Sequence, residues 1–297
     1  MKEIVIVSGK GGVGKTSLTA SLIFLLSRSG FKVVGADADV DAPNLALILR
    51  GEKIESKPIR ASEKAFINSD KCDGCGICVE RCKFMALNIE SGKAVVNHFL
   101  CEGCGVCKLV CPKNAVEIKD VESGVVATIR TRYGFPLISG RLHIGETGSG
   151  KIVNAVKALA RKLAEEEKSD FIFVDGPPGV GCPVISAIAG ANYAIAVAEP
   201  TPTALYDLDR VLWITKHFKC PSVIVINKAD MDREMRNKII EYAEYNNVEV
   251  LGEIPLDMTV PYSVVNAMPI VEYAPESEAS KSIKAVYAKI LKILDSL

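Results

Sequence analysis

The sequence predicts an α/β fold: a mostly parallel sheet with helices on both faces, interrupted by a small inserted domain rich in cysteine. Three observations carry this. Short apolar runs alternate with helical patterns along most of the chain, the pattern of a parallel sheet covered on both sides. A glycine-rich turn joins the first run to the first helix. Eight of the ten cysteines fall between Cys72 and Cys111, in two runs of the same form.

Each element has its own reason. Residues 3–7 are a short β-branched run, as in a strand buried on both faces. Thr16 to Ser29 follows a helical pattern closed by Gly30. Lys32–Ala36 reads as the second strand, and Phe171–Val174, Tyr193–Ala198, Ser222–Ile226 and Val248–Ile254 as later ones. Helices are expected over 150–168, 203–218, 231–246 and 278–296. Residues 62–120 break the rhythm: Cys72, Cys75, Cys78 and Cys82 recur at Cys101, Cys104, Cys107 and Cys111, each 29 positions later. The main domain is therefore expected over 1–61 and 121–297, with 62–120 as an insertion. Val125–Ile138 is expected to form a hairpin or strand pair where the chain returns.

The bulk numbers set limits. The 297 residues suit one large α/β domain with a small insert, and 48% hydrophobic content is enough for a sizeable core. Lys+Arg and Asp+Glu both number 36, without the positive excess of a nucleic-acid or anionic-membrane binder. No apolar run is long enough to span a bilayer, and Met1–Val7 is too short for a signal peptide. The expectation is a cytoplasmic chain with no nucleic-acid partner and no stable membrane insertion. In a reducing compartment, clustered cysteines point to metal rather than to disulfides.

Gly9-Lys10-Gly11-Gly12-Val13-Gly14-Lys15-Thr16 fits G-x-x-x-x-G-K-[ST] between a strand and a helix. Glycines let backbone N–H groups converge on phosphate oxygens, and the helix N-terminus adds positive potential. Lys15 then neutralises the β- and γ-phosphates, and Thr16 holds Mg²⁺ through its hydroxyl. Asp37-Ala38-Asp39-Val40-Asp41 follows the second strand, and Asp175-Gly176-Pro177-Pro178-Gly179 ends a later one. Gly145-Glu146-Thr147-Gly148-Ser149-Gly150-Lys151 imitates the phosphate motif, but Ile152 replaces the hydroxyl residue and no convincing strand precedes it. It is read as the loop leading into a helix.

With Lys10 included, the run to Thr16 resembles the deviant Walker A motif of the MinD/ParA ATPases and the nitrogenase iron protein. The resemblance implies a Mg²⁺-dependent ATPase that works as an ATP-promoted homodimer, with Lys10 reaching across a nucleotide sandwich to the other subunit's ATP. It assigns the nucleotide to Gly11, Gly12, Val13, Gly14, Lys15, Thr16 and Ser17. It implies that Asp39 orients the attacking water and that Asp37 stands on the Mg²⁺ side, with Asp41 also open for these roles. Asp175 would join the Mg²⁺ shell, and Gly179 would offer an N–H to the γ-phosphate. Asn227-Lys228-Ala229-Asp230, taken alone, matches a guanine-reading motif. The resemblance instead gives adenine to Asn227 and to the loop at Ile254-Pro255, hence ATP over GTP.

Both cysteine runs have the form C-x₂-C-x₂-C-x₃-C. This is the bacterial ferredoxin pattern, in which the last Cys of each run ligates the other run's cluster. It assigns Cys72, Cys75, Cys78 and Cys111 to one [4Fe–4S] cluster, and Cys82, Cys101, Cys104 and Cys107 to a second. Gly76 and Gly105 let the backbone approach the inorganic sulfurs. The alternative is two structural zinc sites, which usually need a longer loop between Cys pairs. One departure is that Pro112 follows Cys111 whereas Lys83 follows Cys82.

The order of motifs resembles MinD-superfamily ATPases carrying an inserted ferredoxin domain. Three roles follow as expectations. The first is nucleotide-gated electron delivery from two clusters to a redox partner. The second is ATP-dependent cluster transfer to an accepting protein, although relatives of that class carry C-x-x-C near the C-terminus and no Cys follows Cys220 here. The third is a MinD-like positioning ATPase whose clusters sense redox state. Cys182 lies seven residues after Asp175, the offset of a bridging-cluster ligand in the nitrogenase iron protein. It is read either as such a ligand or as a small residue at a helix start. Cys220 reads as core, and His98, His143 and His217 as structural or surface residues. The stripe Ile283, Val286, Ile290, Leu294 and Leu297 is expected to pack on the core rather than seek a membrane.

Overall fold

The computed structural model describes residues 1–296, so Leu297 of the terminal stripe lies outside the described residues. The chain opens with β1 (Lys2–Ser8), α1 (Lys15–Arg28), β2 (Val33–Asp37), α2 (Leu45–Ile48) and β3 (Glu52–Ile67). The cysteine-rich stretch holds α3 (Ile77–Arg81), β4 (Leu87–Glu90), β5 (Lys93–Val96) and α4 (Val106–Leu109). Then come β6 (Val116–Arg130), β7 (Pro136–Leu142), α5 (Ser149–Glu166), β8 (Phe171–Pro178), α6 (Cys182–Ile188), β9 (Tyr193–Ala198) and α7 (Pro202–His217). The chain closes with β10 (Ser222–Asn227), α8 (Arg233–Tyr245), β11 (Val250–Ile254), α9 (Thr259–Val265), α10 (Ile270–Tyr273) and α11 (Glu278–Ser296).

The chain divides into two units. The first comprises Met1–Ser56, Val126–Arg141 and the chain from Gly150 onward. The second comprises Lys57–Val125 with Leu142–Ser149.

The sheet order is β11-β10-β9-β1-β8-β2-β7-β6-β3, with parallel pairing from β11 through to β7. Glu3–Ser8 and all of β2 are buried, as expected for strands covered on both faces. Ile4, Ile6, Phe173 and Val225 pack with Leu22, Leu26 and the buried face of α11. In α11, Ile283, Val286, Ile290 and Leu294 are buried, so the stripe belongs to the core. β6 and β7 are neighbours joined by a five-residue turn, closed by Thr131 N–H donating to Phe135 O, which is the expected hairpin. Among the described residues, no helix is long and apolar enough to cross a membrane.

Chain order fixes where a ligand can go. From β1 the chain passes through α1 to β2, on one side of β1, whereas from β8 it passes through α6 to β9, on the other. The C-terminal ends of β1, β8 and β2 therefore surround a switch point, the usual crevice for ligands in such sheets.

The second unit repeats itself. α3 and α4 occupy equivalent places in the two 29-residue runs, and β4 pairs with β5 in an antiparallel ribbon from Leu87↔Val96 to Glu90↔Lys93. The loop at 142–149, read from the sequence only as the way into a helix, belongs to this unit. There Glu146 accepts a hydrogen bond from Ser62 Oγ at 2.7 Å and pairs with the buried Lys64 at 3.5 Å.

Candidate functional site

The phosphate motif forms the turn between β1 and α1. Gly12 and Gly14 have φ of +79° and +91°, where a side chain is strained. Gly14 caps α1 without a side-chain hydrogen bond, so the first N–H groups of the helix remain available for an anion. Lys15 is buried. Its ammonium lies 3.4 Å from Asp175 and 3.7 Å from Asp39, so the two carboxylates hold it at the switch point.

Strand register explains the acids. Asp37 on β2 is the direct neighbour of Asp175 on β8, and both are fully buried. Thr16 Oγ1 donates to Asp175 at 2.7 Å and Thr19 Oγ1 at 3.0 Å. Asp37 Oδ2 accepts from Leu45 N–H at 3.0 Å, which fastens the start of α2, while its Oδ1 is buried without a hydrogen-bond partner. Burial, then the charge of Asp175, pushes the Asp37 carboxyl well above its ordinary value. Burial likewise raises Asp39, with Lys15 opposing. A cation would relieve both. Among the described residues, no three Asp, Glu, His or Cys side chains form a ready metal cage. Magnesium suits this set nonetheless, because it takes one or two carboxylates and completes its shell with water and phosphate oxygens. Asp41 is exposed on the turn after Asp39. Gly179, with φ +93°, donates its N–H to Ser8 O at 2.9 Å.

Lys10 is held by its own chain. Its ammonium lies 2.6 Å from Glu199 and donates to Thr201 Oγ1 at 3.0 Å. The other oxygen of Glu199 takes Lys228 at 2.8 Å, and Lys228 also donates to Gly12 O at 3.0 Å. Burial works against the charge of Glu199, but hydrogen bonds from Lys10 and Lys228 outweigh it and keep the carboxyl below its ordinary value. Asn227 Nδ2 donates to Val13 O at 2.7 Å. Gly14, Ser17, Asn227 and Ile254 line one cavity beside the phosphate loop, and Pro255 is next to Ile254 in the chain but not among the lining residues. Sequence reasoning missed Thr19, Glu199, Thr201 and Lys228. The first is one helical turn past Lys15, and the last sits inside the N-K-A-D run. Glu199 and Thr201 carry no local signal, because their partner Lys10 is about 190 residues away.

Cys182 is exposed at the start of α6. Cys220 is buried, and burial pushes its thiol up to about 11.

In the second unit the eight cysteines line two cavities. Cys72, Cys75, Cys78 and Cys111 line one, and Cys82, Cys101, Cys104 and Cys107 the other. The environment repeats with the sequence. Ala94 N–H donates to Cys72 Sγ and Ala65 N–H to Cys101 Sγ, both at 3.4 Å. Ala86 N–H donates to Cys82 Sγ at 3.4 Å and Ala115 N–H to Cys111 Sγ at 3.3 Å. Such donors stabilise thiolate sulfur. Gly76 and Gly105 both have φ +78°, and a Cβ there would meet only open space, so backbone borders each cavity directly. Two further glycines were missed: a Cβ on Gly74 would overlap the Gly92 carbonyl, and one on Gly103 the Glu63 carbonyl. His98 bonds Ala65 O through Nε2 at 3.0 Å, and His217 stacks on Trp213.

Comparison with known proteins agrees with this geometry. Residues 4–270 match the model of the CobQ/CobB/MinD/ParA nucleotide binding domain. An uncharacterised protein of Methanocaldococcus jannaschii is 37% identical over 98% of this chain and 97% of its own length. The chloroplastic septum site-determining protein MinD homologue of Arabidopsis thaliana is 30% identical, over 93% of this chain and 70% of its own. Among solved structures, MinD of Pyrococcus horikoshii complexed with Mg-ADP superposes with a TM-score of 0.60 at 20% identity, covering 98% and 96% of the two chains. MinD of Aquifex aeolicus gives 0.59, at 20% identity over 98% and 97%. At that identity the likeness speaks for the fold alone.

Proposed function

This chain belongs to the CobQ/CobB/MinD/ParA nucleotide-binding family, and we propose that it is a Mg²⁺-dependent ATPase whose nucleotide state controls electron transfer through two [4Fe–4S] clusters. For the first half, Lys15 neutralises the transferring phosphate and Thr16 and Asp175, with Asp37 behind them, hold the metal side. Asp39 orients the attacking water. Bound Mg²⁺ supplies charge neutralisation of the β- and γ-phosphates. Lys10 leaves Glu199 and Thr201 to act across an ATP-promoted homodimer, and Asn227 with the Pro255 loop holds adenine. The orphaned Asp37 Oδ1 and the raised Asp37 and Asp39 carboxyls support the metal assignment.

The observation that carries the second half is the pair of cavities, each bordered by four thiols and an open glycine. Thiolates suit iron, and four around one cavity suit a cubane, where each sulfur meets its own iron. Residues 62–120 are then an inserted ferredoxin domain, and the partner is a redox protein. Each bound cluster supplies one-electron chemistry; this chain's residues set the ligands and their N–H donors.

Kinship with septum site-determining proteins favours a second reading, a positioning ATPase whose clusters sense redox state. Against it, α11 buries its apolar stripe in the core instead of offering it to a membrane. The experiment is anaerobic purification, followed by iron analysis and cluster potentiometry with and without Mg²⁺-ATP. About eight irons per chain and an ATP-dependent shift of potential are expected. Stoichiometric zinc without visible absorption sinks the cluster reading. Potentials unmoved by ATP remove nucleotide control and leave the positioning reading.

A further inference from the structure

The run Gly145-Glu146-Thr147-Gly148-Ser149-Gly150-Lys151 has the spelling of a phosphate motif but takes no part in the nucleotide site. Its placement gives it other work. Residues 142–149 belong to the thiol unit. Gly148 holds φ +93°, and a Cβ there would overlap the Ala61 carbonyl, so the loop lies directly on the strand that carries Ser62 and Lys64. Glu146 reaches both: it accepts from Ser62 Oγ at 2.7 Å and pairs with Lys64 at 3.5 Å. Lys64 is 2% exposed, and its ammonium also donates to His98 O at 2.8 Å. Glu146 is its one acidic partner among the described residues.

The repeat supplies the comparison. Lys93 lies 29 positions after Lys64, as Ala94 does after Ala65 and Cys101 after Cys72. The peptide joining Lys64 to Ala65 donates its N–H to Cys101 Sγ, and the peptide joining Lys93 to Ala94 donates to Cys72 Sγ, both at 3.4 Å. Each lysine is thus one peptide away from a thiol donor of a different cavity. Lys93 donates to Cys72 O, but no carboxylate pairs with it among the described residues, Glu90 opposite it in the β4–β5 ribbon included. Asp73, Lys83, Glu102, Lys108 and Lys113 also flank the cysteines, but they are exposed, where water and salt screen them. The buried environments therefore differ by one charge: the ammonium on the Cys72 side stands alone, and the one on the Cys101 side is neutralised.

Charge near a cluster sets its potential. A four-thiolate site is anionic and becomes more so on reduction, so a nearby ammonium raises the potential and a carboxylate beside that ammonium cancels the effect.

We propose that Glu146 sets the two cluster sites apart: by neutralising Lys64 it lowers the reduction potential on the Cys101 side alone, so that an electron entering from a one-electron donor settles on the Cys72 side. No bond is made or broken; one site loses the electron that the other gains. This rests on the cluster reading and adds which site holds the electron.

The test is anaerobic potentiometric titration of the full-length protein without nucleotide, followed by visible absorption and electron paramagnetic resonance, with iron analysis of each sample. Wild type should show two one-electron waves. Glu146→Gln keeps the hydrogen bond from Ser62 but removes the charge. It should raise the lower wave by about tenfold in the ratio of reduced to oxidised protein at a fixed potential, about 59 mV, and leave the upper wave within about threefold. Lys64→Met should lower the same wave. Lys64→Met combined with Glu146→Gln leaves no charge at either position and should return the wave to near its wild-type place, which a merely structural role for the pair does not predict. Eight irons per chain with both waves unmoved by Glu146→Gln, or moved equally, overturns the inference alone. A wild-type chain without iron sinks the cluster reading itself and this inference with it.

Discussion

Lys10 and Asp37 show how single residues store what the site needs next. Lys10 is tied to Glu199 and Thr201 of its own chain. On the proposed mechanism, acting on another subunit's phosphate requires exchanging those contacts, so its contribution should appear in hydrolysis and not in first binding. Lys10→Ala should keep ATP affinity within about threefold while turnover falls by roughly 10²–10³, the usual loss on removing one charge aimed at a transition state. Turnover at the wild-type rate would remove Lys10 from the mechanism. Asp37 is the reverse case, a buried carboxyl that costs stability until a cation arrives. Its folded pKa lies above the ordinary 3.8, so between those values the folded chain binds more protons than the unfolded one. Stability from this group therefore falls as pH rises through that window. Asp37→Asn should melt higher than wild type without nucleotide, by a margin that widens as pH rises above about 4. It should also weaken binding of Mg²⁺-ATP. Parallel melts at each pH test this, and a margin independent of pH would mean that Asp37 is ionised without penalty.

Among elements, the glycine turns of the thiol unit separate two demands that look alike in sequence. Gly103 is required by the protein, because a Cβ there would overlap the Glu63 carbonyl. Gly105 faces open space, so in the metal-free chain alanine costs only the strain of positive φ, about 1 kcal/mol. Gly103→Ala should therefore destabilise the apo-protein and lose metal. Gly105→Ala should leave the apo-protein folded yet lose about half of the bound iron, because a methyl group enters the space a cluster needs. Circular dichroism with iron analysis distinguishes them, and full iron in Gly105→Ala would mean that Gly105 does not border the space a cluster occupies. Elements also show what sequence can carry. The strands at β1, β9 and β10 were readable within a residue or so, because burial on both faces leaves an unbroken apolar run. Residues 52–58 of β3, Glu-Lys-Ile-Glu-Ser-Lys-Pro, are exposed throughout and lie at the sheet's edge, so no hydrophobic pattern announced them.

For the whole molecule, the motifs that carry the proposed chemistry were legible because each is local: eight residues for phosphate, eleven for each cysteine run. What held them was not. Glu199 reaches Lys10, Glu146 reaches Ser62 and Lys64, and Thr16 and Thr19 reach Asp175 from across the chain. Side chains of ordinary polarity gain their roles from topology, which brings distant strand ends together. The loop at 145–151 makes the point in reverse. It has the spelling of a phosphate motif, yet its glutamate serves a buried lysine in the thiol unit.

The crossed donors around the cysteines have one more consequence. Ala65 in the first run serves Cys101 in the second, Ala94 in the second serves Cys72 in the first, and each cavity takes its fourth thiol from the opposite run. A lone 29-residue run thus lacks both a fourth thiol and one donor, and could gain them only from a copy of itself arranged about a two-fold axis. The repeat is such a self-complementary pair written into one polypeptide. Neither half of the repeat completes a site alone, so loss of either half removes both cavities at once.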